Sequence, residues 1–247
     1  MRTAGLARVD PLTASLATGL GGVAGWLAAV GLLTSVDYPF LAAVAGLLAV
    51  QGVIVVIVYR REAECSATFT IPTAITVIRG GAIAVLAGFL LSSPEGVVVW
   101  VPAILYAMAA GLDAVDGFFA RLTGTVTAVG ARLDTEMDAL GVLVGAAVAI
   151  ALGMAPSIYL LVGLARYAYV AGLGVRRRLV RPISELPESR LRRVNAAAQM
   201  AIIIVLLAPW PGPDTSRTLA LAAMVPFLLI FGRDWLLATG RREGPVW

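Results

Sequence analysis

From Asp113 to Asp138 the chain reads DAVDGFFARLTGTVTAVGARLDTEMD, and this stretch decides both fold and chemistry. Its four aspartates, Asp113, Asp116, Asp134 and Asp138, interrupt a chain built of long apolar runs. Ionisable groups near a bilayer core are costly, so a cluster of them marks a functional site. At about 100° per residue, Asp113, Asp116, Gly117, Ala120 and Arg121 share one helix face roughly 140° wide. Gly130, Asp134 and Asp138 recur at i, i+4, i+8 and share a narrower stripe. Between the two stripes, Leu122 to Val126 supplies one Gly and two Thr, a turn signal for an antiparallel helix pair. Folding back near Thr125 sets Asp113 opposite Asp138 and Asp116 opposite Asp134. Apolar stretches of similar length flank the two sets, which puts both pairs at one depth. Four such carboxylates need counter-charge. An all-oxygen donor set on two rigid helices suits hard divalent cations, Mg2+, Mn2+ or Ca2+, and a site for two metals is the economical reading.

Working outward, 60% of the 247 residues are hydrophobic and the mean hydropathy is +0.90. Apolar runs recur at the length a bilayer requires, which implies an all-α polytopic membrane protein rather than a soluble domain. Eight spans are expected, at 14–34, 38–59, 70–92, 97–121, 127–153, 156–175, 190–208 and 217–239. The first is too long, and too poor in a cleavage signal, for a secretory peptide. Arginines alternate with the spans: Arg2 and Arg8 precede the first, Arg60 and Arg61 follow the second, and seven form the run from Arg176 to Arg193, both included. The intervening loops at Thr34–Asp37, Ser92–Gly96 and Gly153–Pro156 have none. The positive-inside rule then puts both termini, and the turn near Thr125, on the cytoplasmic side. Cys65, the single cysteine, excludes an internal disulfide. With no Lys and no His, any proton acceptor must be Asp, Glu or Tyr. The charged run from Arg60 to Thr70 reads as either an interfacial helix or an ordinary loop.

The eight fixed positions of this stretch resemble the signature of the CDP-alcohol phosphotransferase family, D-x2-D-G-x2-A-R-x8-G-x3-D-x3-D. Ile71-Pro72-Thr73-Ala74-Ile75-Thr76-Val77-Ile78-Arg79 is similar to the family's I-P-N-x-x-T-x-x-R opening, with Thr73 where Asn is usual. The resemblance runs roughly from Thr70 to Thr239. It implies a six-helix catalytic bundle over 70–247, preceded by two extra transmembrane helices and a juxtamembrane segment over 1–69. It implies transfer of a phosphatidyl-type group from a CDP-linked lipid, such as CDP-diacylglycerol, to an acceptor alcohol, with release of CMP, in phospholipid biosynthesis. Asp113, Asp116, Asp134 and Asp138 would hold two divalent cations, Mg2+ or Mn2+, and Asp138 would be the base. Gly117, Ala120, Arg121 and Gly130, with Thr76 and Arg79, are the candidate contacts for the CDP-linked lipid. The resemblance also suggests a homodimer.

Each assignment has a plainer competitor. The aspartates can form an ion-pair network with Arg121 and Arg132, and Gly117 and Gly130 can simply pack helices closely. Arg79 and Arg121 can snorkel to headgroups, and the Thr76 hydroxyl can bond its own helix. For the acceptor, Arg166 lies roughly ten residues inside the apolar stretch before Arg176, where an Arg should face the bundle interior or a hydrated cavity. Together with Arg190 and Arg193 it favours a phosphorylated polyol, glycerol 3-phosphate or an inositol phosphate, over serine. The same arginines also suit anionic membrane lipid. No nucleic-acid partner is expected. The rival class is a cation transporter, against which stand the carboxylates' crowding toward one face and the lack of paired halves.

Overall fold

The computed structural model describes residues 10–34, 36–62, 69–123, 127–184 and 189–240, with residues 114–123 described by backbone alone. It has eight α-helices and no strand among the described residues: α1 Pro11–Gly31, α2 Tyr38–Arg61, α3 Ile71–Ala87, α4 Val101–Thr123, α5 Ala128–Ala151, α6 Leu160–Arg178, α7 Arg190–Leu207 and α8 Pro213–Thr239. Each expected span is met by one helix. The starts of α1, α2 and α3 follow from local chemistry, because the first N–H groups of a helix need acceptors. Asp10 accepts from the Thr13 amide at 3.2 Å, Asp37 from Phe40 at 3.0 Å, and Thr70 from Thr73 at 3.4 Å. A proline in the first turn follows each of these caps, where its missing N–H costs nothing. The expected turn at Leu122–Val126 falls where α4 ends and α5 has yet to begin, and residues 124–126 lie outside the described residues, as do 63–68 of the charged run.

Among the described residues, six segments are long and apolar enough to cross a membrane: Pro11–Gly31, Tyr38–Arg61, Ile71–Leu90, Gly96–Asp113, Ser157–Arg178 and Pro213–Thr239. The protein is therefore a polytopic membrane protein. The other two helices are held back by charge, not by length. α5 carries Arg132, Asp134, Glu136 and Asp138, and α7 opens with Arg190, Arg192 and Arg193.

The chain divides into two compact units, Met1–Gly141 and Val142–Trp247. In the first, α3 is the central element. Its span is 78% buried, against 17–33% for the other five candidate spans. α1 lies against it backbone to backbone: a Cβ added at Gly81 would sit 2.9 Å from the Val23 nitrogen, and one at Gly22 would sit 3.2 Å from the Ile78 Cα. Small residues at a helix crossing permit this approach in a membrane, where dispersion and interhelical hydrogen bonds replace the hydrophobic drive. Two such bonds reach α3. Trp26 Nε1 of α1 donates to the Ile78 carbonyl at 3.2 Å, and buried Gln51 Nε2 of α2 donates to the Gly80 carbonyl at 2.9 Å. A third, Ser15 Oγ with Tyr59 Oη at 2.7 Å, ties α1 to α2. Bonds of this kind average about 0.6 kcal/mol each in a bilayer, so they stabilise little and orient much.

In the second unit, α6 meets the start of the unit through Gly163, whose added Cβ would lie 2.6 Å from the Leu143 Cα. Gln199 of α7 donates to the fully buried Tyr159 hydroxyl at 2.6 Å. Tyr169 of α6 meets Trp235 and Phe231 of α8 edge-on, with ring centroids 5.9 and 6.3 Å apart.

Candidate metal centre

The site lies in the first unit and is assembled from three helices. Asp113 comes from α4, and Asp134 and Asp138 from one face of α5, one helical turn apart. One carboxylate oxygen from each lies within 4.8 Å of the others. The convergence requires a positive charge, and α3 supplies it. Arg79, only 2% exposed, forms ion pairs with Asp113, with Asp134 at 2.8 Å and with Asp138 at 3.3 Å. Its Nη2 also donates to the Asp134 backbone carbonyl at 3.3 Å, while its Nε has no partner among the described residues. Asp113 and Asp138 share the same guanidinium nitrogen, Nη1. This is the cross-helix neighbourhood that the antiparallel count expects.

Charge and exposure decide what the cluster can do. Three carboxylates against one guanidinium leave two formal negative charges, the charge of one divalent cation. The aspartate side chains are 31–39% exposed, so a hydrated ion can reach them, whereas the guanidinium is sealed. Oxygen-only ligands at this spacing fit a hard divalent cation. The residues present therefore fit a divalent metal ion.

The other expected residues divide into three groups. Asp116, Gly117, Ala120 and Arg121 lie on α4, with their side chains outside the described residues. Gly130 and Thr76 lie in the first unit near the cluster. The Gly130 amide donates to Thr127 Oγ1 at 3.0 Å, and an added Cβ would come within 2.9 Å of that oxygen and 3.3 Å of Thr73 Oγ1. Close packing at Gly130 is thus a fact of the fold, and Thr73, the residue that departs from the family opening, faces it. The buried Thr76 hydroxyl donates to the Pro72 carbonyl at 3.1 Å, within its own helix. Arg166, half-buried on α6, and Arg190 and Arg193, exposed at the start of α7, belong to the second unit.

One of the competing readings falls. Arg79 does not snorkel: it is buried among carboxylates, and a lone Arg two turns into an apolar helix was the signal for this. In the second unit Asp234, near the end of α8, is 6% exposed and pairs with Arg233 at 2.8 Å and Arg192 at 3.8 Å.

No curated protein matches the chain. The model of the CDP-alcohol phosphatidyltransferase family matches residues 69–231, more than half of the chain, and this segment contains Arg79 and all four aspartates. Members of that family are transferases of substituted phosphate groups that generally use a divalent metal. With the carboxylates, their counter-charge and the membrane helices in place, the chain belongs to the CDP-alcohol phosphatidyltransferase family.

Proposed function

We propose that the protein transfers a phosphatidyl-type group from a CDP-linked lipid, CDP-diacylglycerol or a close analogue, to an acceptor alcohol, releasing CMP, in phospholipid biosynthesis. The observation that carries this reading is the convergence of Asp113, Asp134 and Asp138 on Arg79 within the family-matched segment. Asp113, Asp116, Asp134 and Asp138 would hold two divalent cations, Mg2+ or Mn2+. Bound there, the cations supply charge neutralisation for the pyrophosphate. Asp138 takes the proton of the acceptor hydroxyl. The freed oxygen bonds to the lipid-bearing phosphorus, and the bond from that phosphorus to the bridging oxygen breaks, so that CMP leaves with that oxygen. Arg79 keeps the carboxylates gathered. Gly117 and Ala120 leave room for the nucleotide, Gly130 lets the start of α5 pack closely beside it, and Arg121 and Thr76 lie on the faces it would meet.

For the acceptor, the reading favours a phosphorylated polyol. Arg166 is a permanent charge inside an otherwise apolar helical stretch, and with Arg190 and Arg193 it gives the second unit guanidinium forks that suit phosphate. The arginine alternation supports all eight helices crossing the bilayer, both termini and the active site on the cytoplasmic side, and α1 and α2 as an addition to a catalytic bundle over 70–247. A homodimer is expected from the family resemblance.

The test supplies CDP-diacylglycerol and Mn2+ with glycerol 3-phosphate, inositol 1-phosphate, inositol or serine, and measures CMP. Metal-dependent CMP with a phosphorylated acceptor, lost selectively in Arg166→Ala, supports both halves of the reading. Release with serine alone overturns the acceptor. No release with any acceptor, together with cation flux into proteoliposomes that requires Asp134, overturns the reaction.

A further inference from the structure

The family-matched segment begins at residue 69, so α1 and α2 lie outside it. α2 also packs the far end of the α3 span, where Phe40 meets Gly88 and Phe89, but the hydrogen bonds described above meet at a single place. Two side-chain hydrogen bonds that α1 and α2 give to α3 end on the carbonyls of Ile78 and Gly80, the residues immediately before and after Arg79. The packing converges there too: Gly19 admits Val77, Gly22 admits Ile78, and Gly81 admits the backbone at Val23. In an apolar setting neither donor has water to turn to, so each is bound to the carbonyl it reaches. The backbone of α3 is thus gripped on both sides of Arg79, while its guanidinium faces the other way, into the carboxylates of α4 and α5.

We propose that α1 and α2 form a clamp that sets the position of Arg79, with Trp26 and Gln51 as positioning residues for the metal centre. The proposal rests on the reaction proposed above. A site holds its geometry only as well as the shell behind it, and losing a partner behind a ligand set typically lowers metal affinity or activity by 10–100-fold. Trp26 and Gln51 act one layer further back, through the arginine, so a smaller effect is expected.

The test compares Trp26→Phe and Gln51→Met with Ser15→Ala in the full-length protein. The Ser15 change removes the bond between α1 and α2 without touching α3. Mn2+ binding is read from the electron-paramagnetic-resonance signal of free Mn2+, without turnover, and CMP release gives kcat and KM. Trp26→Phe and Gln51→Met are each expected to weaken Mn2+ binding and lower kcat by about 3–10-fold, with KM for the CDP-lipid unchanged and Ser15→Ala like wild type. Where Gln51→Met does not fold, Gln51→Asn draws the amide back by one methylene and carries the same expectation. The clamp is overturned if both variants bind Mn2+ and turn over like wild type, or if Ser15→Ala matches their losses. Clamp-dependent Mn2+ binding with no CMP from wild type would sink the reaction alone. CMP release indifferent to these residues would sink the clamp alone.

Discussion

Around Arg79, one sealed guanidinium faces three carboxylates that water reaches; around Asp234, one sealed carboxylate faces two guanidiniums that water reaches. The proportions are inverted. The first cluster has two negative charges in excess, and the second, counting Asp234 with Arg192 and Arg233, has one positive charge in excess. In each, the minority charge is buried and the majority charges remain accessible. A buried ion costs several kcal/mol to desolvate, and surrounding it with opposite charges offsets that cost. The difference therefore lies in what each cluster still offers. The first presents oxygens to a cation; the second is complete as a tie between α7 and α8.

The sharpest way to break this contrast is to remove one carboxylate from each cluster. Asp138→Asn is expected to lower CMP release by about 10²–10⁴-fold, the range for losing a general base, with little change in folding. Asp234→Asn should leave turnover near wild type and lower stability by about 1–3 kcal/mol, as a buried network loses the negative charge that answers its two guanidiniums. Equal losses of turnover would erase the distinction. Metal linkage comes next. At Mn2+ about 100-fold above its Kd, wild type should gain about 2.7 kcal/mol against thermal unfolding, and chelator should stop CMP release reversibly. Asp113→Asn should lose this gain and Asp234→Asn should keep it.

Removing the cations gives smaller effects and inverts the order. Arg79→Met leaves three carboxylates facing one another without the guanidinium. Because water reaches about a third of each, the cost is set near ~2 kcal/mol rather than the fully buried value. In chelator this corresponds to a fall in Tm of about 4–8 °C, and Mn2+ should recover part of it. Arg233→Met is expected to cost under about 1 kcal/mol, because that side chain is 45% exposed and Arg192 also faces Asp234. A larger loss there would show the second cluster to be more dependent on one pair than its geometry implies.

Much of this was legible in the chain. Hydropathy located eight helices to within a few residues, because apolar length and Asp, Thr and Pro starts are local signals. The i, i+4 spacing of Asp134 and Asp138 fixed their shared face. What sequence could not supply was register between distant helices. Arg79 meets Asp113 across 34 residues and Asp134 across 55, and nothing in either segment specifies which turn of α3 lies opposite. The burial of Asp234 was hidden for a related reason: a charge near the end of a span looks the same from sequence whether it faces headgroups or a neighbouring helix. Trp26 and Gln51 carried no signal beyond a polar group in an apolar run.

The order of the helices along the chain has a consequence for biosynthesis. A ribosome makes Arg79 before Asp113, Asp134 or Asp138, so α3 reaches the bilayer with its charge unanswered, at a cost of about 2.5–3.5 kcal/mol on the insertion scale. α1 and α2 are already made by then. Their glycine-lined surface and two waiting donors give the incoming helix a place to dock until its acidic partners are translated. A version of the protein begun at residue 69 would lack that dock, and its arginine-bearing helix would be the first to enter the membrane.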